Sequence, residues 1–292
     1  MPTKEGQQSI YKMVTSSIIR HLERGVVPWK QPWISGQPRN LLTGNVYKGV
    51  NPWILTASAS EQEFTSRHWL GFNQAKKLGG HVRKGEASTL IIFFKPVEKL
   101  VENEDGEQEK KTIPILQYHR VFNIQQIEGI SDPDSDQITN HDPLPAAEQI
   151  VEGMPNRPPI KTGNPPPCYD PNTDEVKLPP RSQFLSGEGF FETAFHELAH
   201  STSHPTRLNR QNVGKARFGG QDYAHEELIA ELSASYLCGV AGILPQTVEN
   251  EAAYIASWLQ ALRADSRLIV RASSAAQRAA DFILGETQAD AE

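Results

Sequence analysis

His196-Glu197-Leu198-Ala199-His200 sets two imidazoles four residues apart, with a carboxylate beside the first. On a helix, residues four apart lie on one face, one turn apart, so both rings can converge on one ion at Zn–N distances of about 2.0–2.1 Å. Glu197 then stands where a general base can reach the water that such an ion activates. Phe190, Phe191, Ala194, Phe195 and Leu198 supply an apolar helix face, and Pro205 follows just beyond. This five-residue pattern also arises by chance in ordinary helices, so the surrounding sequence decides its meaning.

Tyr223-Ala224-His225-Glu226-Glu227-Leu228-Ile229-Ala230-Glu231 supplies that context. Glu227 and Glu231 are four apart and share a face. Burying such a pair beside Leu228, Ile229 and Leu232 without a cation is costly. Glu227 is the expected third ligand, with Glu231 one turn on and placed to hydrogen-bond a ligand imidazole; Glu226 is the alternative ligand. Tyr223 could polarise a substrate carbonyl, although a core or rim role fits a tyrosine better. His204 and His225 read as polar neighbours or surface residues rather than ligands. Three protein ligands leave a coordination position open, as catalytic zinc sites do, whereas structural sites normally have four. The expectation is one Zn2+ per chain, with Mn2+ or Co2+ also compatible, and a metallopeptidase-type hydrolysis of amide bonds.

The elements that must position these groups are legible as periodic segments. Helices are expected over 7–24, 47–59, Phe72–Leu78, 144–152, 187–202, 222–240, 249–263 and 265–284. Thr89–Phe94 and Ile113–Val121 read as paired strands around a charged loop, Glu102–Lys111, and Cys168-Tyr169 with Glu175–Leu178 as a hairpin across a turn-prone Asp170–Asp174. Gly129–Pro145 is rich in Asp, Pro, Ser and Asn, and is the natural linker. The chain therefore reads as an α+β protein of two domains: a mixed α/β domain over 1–128, a linker over 129–144, and a gluzincin-like metallopeptidase domain over 145–292.

Charge divides along the same line. The net charge is −6, yet residues 1–95 carry 13 Lys/Arg against 5 Asp/Glu, and the remainder 16 against 30. A basic half favours a polyanionic partner. Trp29, Trp33, Trp53 and Trp69 also lie there, interleaved with Lys30, Arg39, Lys48, Lys76, Lys77, Arg83 and Lys84. Aromatic faces stack on unpaired bases and cations follow the backbone, which is the equipment of a sequence-tolerant single-stranded DNA binder. The candidate contacts are Trp29, Lys30, Trp33, Arg39, Lys48, Lys76, Lys77, Arg83 and Lys84. Trp53 and Trp69 fit a core role equally well.

With 292 residues, 38% of them hydrophobic, the chain can bury two cores. No apolar run approaches the roughly 18–20 residues that span a bilayer, so no membrane partner is expected. Met1–Gln8 lacks an apolar signal core, and two distant cysteines make no disulfide framework; a cytoplasmic location is expected.

Taken in order, several stretches resemble the plasmid-encoded antirestriction proteins of the ArdC class, which are similar in their N-terminal part to conjugative-plasmid primase proteins. They are Val27-Pro28-Trp29 with Pro32-Trp33, Tyr47–Asn51, Trp69–Lys84 running on to Glu86, Phe93-Phe94-Lys95, Arg120–Asn123, His196–His200, Arg207–Arg210 and Glu226–Glu231. The resemblance covers nearly the whole chain. It implies an N-terminal domain that binds single-stranded DNA, a C-terminal zincin-like peptidase domain, and protection of incoming plasmid DNA during conjugation, with a protein of the host restriction machinery as a possible substrate. Two other readings stay open: a DNA-coating protein whose peptidase fold is only a scaffold, and a metallopeptidase without a DNA role.

Overall fold

The computed structural model describes residues 4–31, 36–102, 108–134, 142–163, 166–210, 221–244 and 251–286. Helix α1 (Lys4–Glu23) buries Ile10, Val14, Ile18 and Leu22, one every fourth residue, and the chain turns away at Gly25 with φ +75°. A single 3₁₀ turn, Pro28–Lys30, follows. Strand β1 (Arg39–Asn40) leads to α2 (Asn51–Glu61), then β2 (His68–Gly71), α3 (Phe72–Lys77) and β3 (His81–Val82). The long hairpin β4 (Thr89–Glu102) and β5 (Gln108–Asn123) pairs continuously from Thr89↔Val121 to Glu102↔Gln108, and β6 (Ile127–Glu128) closes the N-terminal half.

The principal sheet has the order β1-β2-β5-β4, while β3 and β6 form a separate antiparallel ribbon. Asn51 pins α2 to the sheet: its side chain donates to the Ile92 carbonyl and accepts from the Ile92 amide, both at 2.8 Å. The hairpin runs further into the charged stretch than its sequence predicts, since Gln108–Lys111 pair as strand rather than loop. Ladder bonds come from the backbone, and this part of the hairpin is largely exposed, so no apolar alternation marks it.

The second half holds α4 (Leu144–Gly153), the strands β7 (Ile160–Thr162), β8 (Cys168–Asp170) and β9 (Glu175–Leu178) in the order β7-β9-β8, then α5 (Gly187–Ser201), α6 (Gln221–Ala241), α7 (Glu251–Ala264) and α8 (Leu268–Ile283). The α+β, two-domain architecture and the expected hairpin at Asp170–Asp174 are both present. Ser186 caps α5 by accepting from the Gly189 amide at 3.1 Å, and the Leu144 side chain packs closely over Gly187.

One apolar core runs through both halves. Trp29 meets Trp258 edge-on at 5.1 Å, and Trp53 packs on Tyr236 at 4.6 Å. The start of the expected linker is tied back to β2, with Arg67 bonded to Asp134 at 2.6 Å and His68 Nδ1 3.2 Å from Asp132. Among the described residues no helix is long and apolar enough to cross a membrane.

Candidate metal centre and nucleic-acid interface

Helices α5 and α6 lie against each other and bring the predicted donors together. His196 Nε2 and His200 Nε2 are 3.1 Å apart, Glu227 Oε2 is 3.5 Å from the first, and Glu227 Oε1 is 3.6 Å from the second. Donors about 2.0–2.2 Å from a tetrahedral ion stand about 3.3–3.6 Å from one another. The three side chains are therefore close enough together to hold a single divalent ion. The His196 ring lies among carboxylates. Burial works against its charged form, but the Glu227 hydrogen bond and the charges of Glu231 and Glu197 outweigh it and lift the pKa to about 9. A metal ion would take the place of that proton.

Glu197 follows His196 on α5 and is buried. Strands β8 and β9 pack on the same helix, and the Glu197 charge reaches the Cys168 thiol on β8. Burial, with Glu197 adding to it, pushes that thiol up. The hairpin is clamped to the end of α5 by Arg207, whose side chain is 1% exposed. Its Nη1 and Nη2 donate to the two Asp174 oxygens at 2.7 and 2.9 Å, and Tyr169 donates its hydroxyl to Asp174 at 2.9 Å.

The support of the two imidazoles differs from expectation. Glu231 Oε1 lies 4.0 Å from His196 Nδ1, so it faces that ring without the hydrogen bond expected of it. The partner of His200 is Glu226, with Oε1 3.2 Å from Nδ1. Glu226 is thus neither the metal donor nor a solvated helix residue. Arg210 holds it, donating from Nη2 to Glu226 Oε1 at 2.6 Å and to the Ala199 carbonyl at 3.1 Å, and also bonding Thr202 through Nη1. Burial works against the Glu226 charge, but His200 and Arg210 hold its carboxyl below the usual range. The pattern Glu226-Glu227 leaves the division of labour open, because adjacent helix residues point about 100° apart and only the docking of α5 selects which faces the ion. Tyr223 lies on α6, but its side chain is outside the described residues.

The candidate DNA contacts divide sharply. Trp29 is a core residue at 1% exposure, and Ser235 bonds its carbonyl at 2.6 Å, so its ring is not offered to a base. Lys30 is also buried, bonded to Glu192 at 2.8 Å and to Glu231 at 3.0 Å, so it is not a phosphate contact. Both corrections have one cause: the turn that carries them inserts against α5 and α6. Trp33 lies outside the described residues. Arg39 is half-buried, with burial and then Arg67 lowering its pKa, and Lys48 stands 3.8 Å from both Asp281 and Glu286. Trp53 and Trp69 are core, each at 1% exposure.

Lys76, Lys77, Arg83 and Lys84 are exposed. They sit on α3 and on the turn after β3, joined through Gly79-Gly80. Gly80 is obligatory, since a Cβ there would come within 2.6 Å of Ile130 and 2.9 Å of the Glu128 carbonyl. Beneath the turn, buried Gln126 donates to Glu86 at 3.0 Å and to the Ala87 carbonyl at 2.9 Å, while Arg83 pairs with Glu86 at 2.7 Å. Phe72, which was not among the expected contacts, is 59% exposed and lies one helical turn before Lys76.

Residues 8–122 match the family described as the N-terminal domain of anti-restriction factor ArdC, and residues 145–275 match the family described as a zincin-like metallopeptidase. The chain is 30% identical to the uncharacterized protein y4eC of Sinorhizobium fredii, over 99% of this chain and 96% of that one. It is 32% identical to a DNA primase TraC of Escherichia coli, over 97% of this chain but only 28% of that much longer protein. Among solved structures, the antirestriction protein ArdC from plasmid R388 superposes in its metal-free form with a TM-score of 0.76 at 37% identity, covering 94% of this chain and 96% of that one. Its Mn(II)-bound form gives 0.75 at 36% identity, covering 94% and 97%. Two matched domains in the same order, and a common fold along nearly the full length of both chains, place this protein in the ArdC family of antirestriction proteins.

Proposed function

We propose that the chain binds single-stranded DNA through its N-terminal half, carries a divalent-metal peptidase site in its C-terminal half, and protects incoming conjugative plasmid DNA from host restriction. The observation that carries the peptidase reading is the convergence of His196 Nε2 and His200 Nε2, 3.1 Å apart, with one Glu227 oxygen 3.5 Å from the first and the other 3.6 Å from the second. These residues would hold zinc, or manganese or cobalt, and leave a position free. When bound, such an ion acidifies a water and polarises a carbonyl. Glu197 takes a proton as general base and passes it to the leaving amine. Strand β8 lies at the edge of its sheet, beside Glu197, and offers backbone pairing to an extended peptide. Support for the DNA reading comes from the basic first 95 residues, the exposed Lys76, Lys77, Arg83 and Lys84, and kinship with ArdC and with part of a DNA primase.

The test joins metal content to protection. Elemental analysis of the purified protein should give about one divalent metal per chain, lost in the His196→Ala, His200→Ala double variant. A conjugation assay should show protection by the wild type, and its loss in Glu197→Gln and in Lys76→Ala, Lys77→Ala, Lys84→Ala. Survival of protection in Glu197→Gln alone would leave a DNA-coating protein on a peptidase scaffold. Failure of the intact chain to bind single-stranded DNA would leave a metallopeptidase without a DNA role.

A further inference from the structure

Helices α5 and α6 carry five carboxylates into one buried region: Glu192, Glu197, Glu226, Glu227 and Glu231, none more than 17% exposed. Concentrated negative charge of this kind must be met by cations or hydrogen bonds. Glu227 faces the metal position, and Arg210 meets Glu226. The Glu192–Glu231 pair is met by Lys30, which arrives from the other end of the chain. Burial works against the Lys30 charge, but Glu231 and Glu192 more than offset it and raise its pKa above that of an ordinary lysine, so it remains a cation.

Glu231 uses its two oxygens differently. Oε2 accepts from Lys30 at 3.0 Å, and Oε1 faces His196 Nδ1 at 4.0 Å. Glu231 is also one helical turn from Glu227, on the same face, so an unrestrained Glu231 could compete for the metal. The turn that carries Lys30 is anchored. The Lys30 amide donates to the Val27 carbonyl at 3.0 Å, Ser235 bonds the Trp29 carbonyl at 2.6 Å, and the Trp29 ring is seated on Trp258.

Resting on the metal reading above, we propose that Lys30 is a positioning residue of the metal centre, holding Glu231 on the Nδ1 side of His196 and away from the three candidate donors. The N-terminal half thereby completes a site whose donors all lie in the C-terminal half. Each ligand histidine has a carboxylate and a cation behind it: Glu226 and Arg210 for His200, Glu231 and Lys30 for His196. Groups behind a metal ligand set ring orientation and ligand basicity, so the consequence is read in metal binding itself.

The experiment uses the full chain, stripped with a chelator. Zn2+ affinity is measured against a competing indicator, and the visible absorption of the Co2+-loaded protein reports ligand geometry. Lys30→Met and Glu231→Gln should each weaken Zn2+ binding by about 10–100-fold and alter the Co2+ bands. The double variant should bind no more weakly than the worse single variant, because both cut the same connection. Glu192→Gln keeps the Lys30–Glu231 bond, and should lower the melting temperature while keeping wild-type metal affinity and spectrum. Wild-type affinity in Lys30→Met, multiplying losses in the double variant, or an equal loss in Glu192→Gln would overturn the proposal and make Lys30 merely structural. Should Lys30→Met fail to fold, the contrast between Glu231→Gln and Glu192→Gln decides. A wild type that binds no metal would instead overturn the peptidase reading on which this rests.

Discussion

The turn Pro28–Lys30 and the stretch Phe72–Lys84 carry similar residues, aromatic rings beside lysines, and meet opposite fates. Trp29 is 1% exposed and its lysine is buried among carboxylates; Phe72 is 59% exposed and its lysines stand in solvent. The difference does not lie in either stretch. Lys30 is buried because Glu192, 162 residues away, and Glu231 come to it on packed helices. Nothing of that kind reaches Lys76, Lys77 or Lys84 among the described residues. An aromatic-cationic stretch is thus evidence of nucleic-acid binding only where no distant acidic helix claims it.

The comparison can be broken by substitution. The largest effects belong to the buried turn. Lys30→Met leaves two carboxylates buried without their cation and should cost about 3–5 kcal/mol of stability in chemical denaturation, and Trp29→Ala about as much through the cavity it opens. If either is neutral, the turn is not a core element. Next comes metal: at free metal a hundredfold above Kd, the wild type should gain about 2.7 kcal/mol over the chelator-treated protein. At that same metal concentration, Lys30→Met should gain less and Lys76→Ala as much.

The exposed stretch should show the reverse profile. Phe72→Ala should leave stability within about 0.5 kcal/mol but weaken single-stranded DNA binding by about 1–3 kcal/mol, the value of one stacked base. Unchanged affinity in filter binding would remove Phe72 from the interface. The smallest effect is electrostatic. Lys76→Ala with Lys77→Ala should flatten the dependence of log affinity on log salt by about 0.7 for each phosphate no longer neutralised, with melting unaltered. A slope equal to the wild type would place the strand elsewhere on the basic half.

Several elements were readable in advance because their determinants are local. Ile10, Val14, Ile18 and Leu22 announce α1 by spacing alone, and Asp170–Asp174 announces its hairpin by turn chemistry. The outer part of the β4–β5 hairpin was not readable, since an exposed ladder leaves no apolar alternation. Strands β1, β3 and β6 are two residues each, too short to show any period.

The candidate metal donors are written along the chain. His196 and His200 are held on one face by helical repetition, and the paired Glu227 and Glu231 by the same rule, so four residues of the centre follow from backbone geometry within two helices. The docking of distant elements adds what spacing does not show: that Glu226 meets His200, that Arg210 holds Glu226, and that Lys30 is paired with buried carboxylates. A ligand pair depends on spacing of three or four residues, which is written along the chain. An ion pair depends on which helices dock and in what rotation, and that is settled by burial of the common core that joins Trp29, Trp53 and Trp258.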